Sequence, residues 1–241
     1  MKKFLLYFAS ILSIALLWQF RAFQIQNPLI FPYLSEIGNE LLTLLITPNT
    51  YVIIFRSLMR LMIAFFIGSL TGIILGLIGG ASQNFNHFMT PIVSGLRSLP
   101  VASLIVIFLM LYGANMAIYI IVFLMIFPIV YEASKRGVLS VDYGIKQALR
   151  LEPLGRFKRM VYMHLPLALP NIKSGAIQSL GLGFKVLVMA EFIGQAQTSI
   201  GRMIYIGRIN LNYSLIIAWT IIIVGLVLLM EIMVQKIEEK A

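Results

Sequence analysis

The sequence has no cysteine and only two histidines. The first absence excludes disulfides, thiolate nucleophiles and Cys-ligated metal centres. The second leaves His87 and His164 in unrelated segments, as isolated surface or interface groups rather than ligands. Charge is scarce too: 12% of residues are charged, about half the fraction usual in soluble domains. No G-x-x-x-x-G-K-[ST], H-E-x-x-H, G-x-S-x-G or G-x-G-x-x-G occurs. Phosphate cradling, zinc-assisted hydrolysis, serine acyl transfer and dinucleotide binding therefore have no motif to carry them, and an enzyme is not expected.

What fills the chain is apolar. Hydrophobic residues make up 60% of 241, and the mean hydropathy is +0.94. A soluble domain of that composition would expose too much apolar surface, so the chain reads as one integral membrane domain over 1–241. The net charge of +10 is then explained by basic loops retained on the cytoplasmic side rather than by nucleic acid.

A bilayer core of about 30 Å needs roughly 20 apolar helical residues. Six segments qualify: about 4–20, 57–80, 88–112, 115–134, 168–192 and 213–234. The first lacks a small-x-small cleavage site before Arg21 and reads as an uncleaved anchor. With the N-terminus inside, Lys and Arg collect in 135–159 and in both tails, whereas Arg21, Arg56, Arg202 and Arg208 fall outside. That bias puts both termini in the cytoplasm. Between spans one and two, Leu41, Leu42, Leu44 and Leu45 give an apolar face to an external helix along the membrane.

Gly68, Gly72, Gly76 and Gly80 repeat every four residues along span two, a stripe for close packing against a neighbouring helix. Leu99-Pro100 and Leu165-Pro166 lie near the starts of two spans and predict a bend or a short separate helix at each. Glu132 with Lys135 and Arg136 has the spacing of a helix-end ion pair.

Charges within spans mark candidate functional positions. Asn171, Ser174, Gln178 and Lys185 fall within about 60° of one another on a helix, with Gly181 beside them. This polar stripe suits a water-filled path, where Lys185 would meet an anionic or zwitterionic solute; the alternative is that Lys185 snorkels or pairs with another helix. Glu191 points about 120° away from Lys185 and suits hydrogen bonding at a helix break. Arg60 either snorkels outward or pairs with Glu191.

The basic stretch QALRLEPLGRFKRMVYMHLPLALP lies in a loop of about thirty residues, 135–165, long for a compact bundle. A short helix over YGIKQALRL presents Ile145, Ala148 and Leu149 between Lys146 and Arg150, and a second is expected at about 154–164. Such an element either lies on anionic lipid or docks on a partner.

These features, with Gln147-Ala148-Leu149, Pro153, Met163 and Leu165-Pro166, resemble the cytoplasmic signature of permease subunits of ATP-binding cassette importers, nitrate/sulfonate/taurine type. Ser57-Leu58-Met59-Arg60, Leu96-Arg97-Ser98-Leu99-Pro100, Tyr112-Gly113, Ala190-Glu191-Phe192 and Ser199-Ile200-Gly201 extend the resemblance over roughly 50–235. Gln147 and Pro153 stand where the family carries glutamate and glycine.

The resemblance implies an all-α, type I importer permease fold of about six transmembrane helices with a cytoplasmic coupling helix. Ile145, Lys146, Gln147, Ala148, Leu149, Arg150, Pro153, Arg156, Leu165 and Pro166 would then form the element that couples to a separate ATPase subunit. Ser174, Gln178, Gly181 and Lys185 would line the path, and Arg60, Leu99, Pro100 and Glu191 would serve gate or structure. It implies no cofactor in this chain, with ATP and Mg on the partner ATPase. It further implies an extracytoplasmic substrate-binding protein, a homodimer of permeases, membrane lipid around it, and a bacterial inner membrane location. An ion-coupled secondary transporter and a membrane scaffold without flux are the other readings.

Overall fold

The computed structural model describes residues 2–27, 29–140 and 155–239, and among them there is no strand. Helices α1 (Lys2–Ile25), α2 (Leu34–Ile46), α3 (Pro48–Ala81), α4 (Gln83–Ser98) and α5 (Val101–Leu139) come first. A short turn, Arg156–Arg159, and a π-helical turn, Met160–His164, lead into α6 (Leu165–Gly194), followed by α7 (Ile200–Ile209) and α8 (Tyr213–Glu239). Four stretches are long and apolar enough to cross a membrane: Pro48–Ala81, Val101–Leu139, Met160–Gly194 and Tyr213–Met230. Helix α1, at 24 residues, covers the expected first span and meets the rest mainly through α2.

The expected third span, 88–112, is not one helix. Leu99 and Pro100 are extended (ψ 134° and 119°), because proline disfavours helical backbone in the residue ahead of it. At the far end Gly113, with φ 70° and ψ 168°, occupies a region open almost only to glycine. The chain doubles back there. A continuous helix would put Arg97 and Glu132 about 50 Å apart, yet both line one cavity, and Met89 and Val93 cluster with Phe127 and Tyr131. Helix α5 is therefore two arms, 101–112 and 114–139.

The second arm is the centre of the bundle, packed between α3 and α6. Small residues allow both contacts. A Cβ at Gly68 would lie 3.0 Å from Ile126, at Gly72 2.9 Å from Val130, at Gly76 2.5 Å from the Tyr131 carbonyl and at Gly80 2.5 Å from Val138. The glycine stripe thus has a partner, residues 126–138 of α5. On the opposite side Gly175 meets Ala133, and Gly137 meets Ala168. Ile118, Ile121, Ile126, Phe184, Leu187 and Trp219 fill the common core and are fully buried.

Two further expectations change. Helix α2 buries Ile37 and Leu44 and packs against α8, while Leu42 and Leu45 stay exposed. Its apolar face is 37-41-44, set by helical periodicity, and serves the bundle rather than only the membrane surface. Leu165-Pro166 causes no break, and the second short helix expected at about 154–164 is not separate: helical backbone runs from Arg156 to Gly194. The π-turn, closed by Leu165 N–H to Met160 C=O, lets the chain absorb a proline that cannot donate and would otherwise crowd the preceding turn.

Candidate functional site

Three groups of polar residues stand out against this apolar frame, and they differ in how completely they are partnered.

The first is buried. Glu191, near the end of α6, is 0% exposed, and an ionised carboxylate there survives only if its oxygens are bonded. They are. Arg60 donates from Nη1 to Oε1 at 2.9 Å. Ser57 Oγ lies 2.9 Å from both oxygens, and the Gly201 N–H donates to Oε2 at 3.2 Å. Ser57 Oγ in turn accepts from Ile200 N–H at 3.1 Å, and Arg60 Nη2 donates to the Gln197 carbonyl at 3.0 Å.

Local sequence explains each part. Ser57 and Arg60 are three apart and so share a face of α3. Gly201 is needed because a Cβ there would run into the backbone of Phe192. The connection from α6 to α7 carries two left-handed residues, Gln195 (φ 50°) and Thr198 (φ 49°). Ser199 steadies it by accepting from Arg202 N–H at 3.1 Å and donating to the Ala196 carbonyl at 2.7 Å. The arrangement ties three helices together at one point, and both oxygens of its carboxylate are bonded. Of the two alternatives for Arg60, pairing with Glu191 is the one observed. Ser57 and Gly201, in Ser57-Leu58-Met59-Arg60 and Ser199-Ile200-Gly201, become partners of Glu191 only through contact across the bundle.

The second group is the α6 stripe. Ser174, Gln178 and Lys185 are exposed, Asn171 and Gly181 half-buried, and Leu182 and Met189 extend the same open face. On the other side Gly175, Ser179, Gly183, Val186 and Ala190 are buried. Among the described residues Lys185 has no ion-pair or hydrogen-bond partner, and Glu191 lies on the buried side, away from it. The stripe is thus a real surface of the fold, left uncovered by the chain's own helices.

The third group is a cavity of about 420 Å³ between α4, the second arm of α5 and α6, lined in part by Arg97, Glu132, Arg136 and Gln178. Glu132 accepts from Lys135 Nζ at 2.7 Å, the helix-end pair expected from spacing. Gln178 belongs to both cavity and stripe.

Ile145, Lys146, Gln147, Ala148, Leu149, Arg150 and Pro153 lie outside the described residues, as does the side chain of Arg156. Their anchorage is visible: Leu165 packs against the cluster of Leu77, Val138, Ala168 and Ile172, and Pro166 is exposed at the start of α6. Leu99 and Pro100, both exposed, form the break ahead of α5. Among the described residues no group of His, Cys, Asp or Glu is placed to hold a metal.

Comparison with known proteins gives these surfaces a context. Residues 68–241 match the family model described as "binding-protein-dependent transport system inner membrane component". The chain is 26% identical to the taurine transport system permease protein TauC of Escherichia coli (strain K12), over 92% of this chain and 83% of that protein. It is also 26% identical to the putative aliphatic sulfonates transport permease protein SsuC of Bacillus subtilis (strain 168), over 88% and 82%. The bicarbonate transport system permease protein CmpB of Synechococcus elongatus is 25% identical over 68% and 65%. Among solved structures, the inward-facing MetNI methionine ABC transporter superposes with a TM-score of 0.65 and 19% identity, covering 79% of this chain and 96% of that one. At that identity the likeness is one of fold.

Proposed function

Because the chain belongs to the family of binding-protein-dependent transport system inner membrane components, it is the permease subunit of an ATP-binding cassette importer, and we propose that the open face of α6 lines its solute path. Two copies of the chain enclose that path. Each pairs with a separate ATPase chain, which binds ATP and Mg, and the pair receives solute from an extracytoplasmic binding protein. Both termini lie in the cytoplasm, where the basic residues of 135–159 belong by charge bias. The network of Ser57, Arg60, Glu191 and Gly201 then sits at the extracytoplasmic end of α6 and braces the outer gate.

The observation that carries the reading is the stripe: Ser174, Gln178 and Lys185 are exposed on a helix whose opposite side is core. In a hydrocarbon environment uncovered polar groups belong at a water-filled path or a partner, not in lipid. The solute is small and anionic or zwitterionic, met by Lys185; relatives named for taurine, sulfonate and bicarbonate transport support this.

Coupling follows from continuity. The segment with Ile145, Lys146, Gln147, Ala148, Leu149 and Arg150 docks on the ATPase, and Pro153 shapes the turn that follows. From Arg156 to Gly194 the backbone is helical without interruption. A displacement of the docked segment is therefore delivered to the helix that bears the stripe. Alternating access results when ATP binding draws the two ATPases together and the two α6 helices move apart or together in response.

The test is co-expression with a candidate ATPase from the same cell, followed by purification, alongside a matched chain with Ile145, Leu149 and Arg150 replaced. A stable complex that the replacements dissolve is expected. No complex with any ATPase would refute the coupling assignment.

A further inference from the structure

The cavity beside the stripe carries charge that the permease reading leaves unused. Its walls come from α4, the second arm of α5 and α6, and its charged members are Arg97, Arg136 and Glu132. The acid is partly compensated, since Glu132 Oε1 accepts from Lys135 Nζ at 2.7 Å. Arg136 uses only Nε, donating to the Glu132 carbonyl at 3.3 Å, which leaves its two terminal nitrogens without a partner among the described residues. Arg97 has no partner among them at all. Two exposed guanidinium forks thus border one cavity without a hydrogen-bonded anion among the described residues, and they outnumber its one carboxylate, Glu132, so the cavity favours negative charge.

We propose that Arg97, Arg136 and Gln178 form an anion-selecting site within the permease that takes the oxyanion group of a small organic solute. The site rests on the permease reading above and sharpens it. A planar guanidinium matches an oxyanion through paired N–H donors, and the Gln178 amide adds a neutral donor from the third wall. Met125, Ile129 and Leu182 supply apolar surface in the same cavity, which suits a solute with a hydrocarbon part. A volume of about 420 Å³ falls in the range of small-molecule sites and exceeds what a bare inorganic anion fills. Lys185 stands two turns along α6 from Gln178, about 10 Å at helical rise, so the path offers two basic stations joined by Gln178. Selectivity for negative charge would then reside in this chain as well as in whatever delivers the solute.

The experiment uses the full complex of permease, ATPase and binding protein in liposomes, with radiolabelled taurine and ethanesulfonate as probes at several concentrations. The expected result is that Arg97→Gln and Arg136→Gln each lower uptake about tenfold or more at subsaturating probe, as loss of a charge-assisted contact does. The change should appear chiefly in KM, with an unaltered unfolding midpoint, and Arg97→Lys should restore at least a third of the loss by returning the charge. Uptake within twofold of the unaltered complex in both glutamine variants would overturn the site. So would a loss that tracks a lowered unfolding midpoint and that lysine leaves unrepaired, since that is a structural role. An unaltered complex that assembles but takes up neither probe would overturn the organic-anion assignment, and with it the site, while leaving the ATPase docking result to judge the permease reading separately.

Discussion

Two polar regions of this chain sit on the same helix and follow opposite rules. At the end of α6, Glu191 is sealed from solvent and each of its oxygens is bonded. Further down, Ser174, Gln178 and Lys185 lie open, and Lys185 has no partner among the described residues. The contrast separates what holds the fold from what is available to a ligand. A satisfied buried network resists change because removing one member strands the others; an open polar face costs little to alter but loses whatever it would have bound. Charge within a membrane span is therefore not by itself a mark of a path.

The largest effect that would break this contrast is at Glu191. Glu191→Ala leaves Arg60 charged, partly buried and without its carboxylate, and should cost about 3 kcal/mol, the lower end for breaking a buried pair, read as a lower midpoint in detergent unfolding. Glu191→Gln keeps one acceptor oxygen, which can serve Ser57 and the Gly201 N–H while the amide NH2 faces Arg60, and should cost less. A neutral result for Glu191→Ala would mean the network is ornamental and the distinction false.

Next comes the stripe of close contacts. Gly76→Ala puts a methyl group 2.5 Å from the Tyr131 carbonyl oxygen and forces α3 away from α5, for about 1–3 kcal/mol. At Gly113 nothing lies within 4 Å of an added Cβ, so Gly113→Ala meets only backbone strain, about 1 kcal/mol. Finding the second larger than the first would show that the hairpin turn, not the helix packing, limits stability. The smallest expected stability change is at Lys185: Lys185→Met should stay within about 0.5 kcal/mol, as exposed substitutions do, while reducing uptake about tenfold.

The sequence displays some of this readily. Four-residue glycine spacing announces a packing face, yet spacing names no partner, and that α5 fills the role depends on how the hairpin at Gly113 folds back. Charges at Arg60 and Glu191 are conspicuous in apolar surroundings. Their companions Ser57 and Gly201 are ordinary residues whose importance arises from contact across the bundle. Leu99-Pro100 is legible as a break, whereas Leu165-Pro166 reads alike and behaves differently, since a π-turn carries the helix through it. The anion cavity is hidden for the same reason as the network. Arg97, Arg136 and Gln178 lie on three separate elements, and only the tertiary fold gathers them.

The most direct measurement is solute uptake by the complete complex in liposomes, with and without ATP and with ion gradients collapsed, for the unaltered chain and Lys185→Met in parallel, together with both unfolding midpoints. The account predicts uptake that requires ATP, survives loss of the gradients and falls about tenfold in Lys185→Met at equal stability. Uptake that ignores the Lys185 change, or that follows an ion gradient instead of ATP, would contradict it.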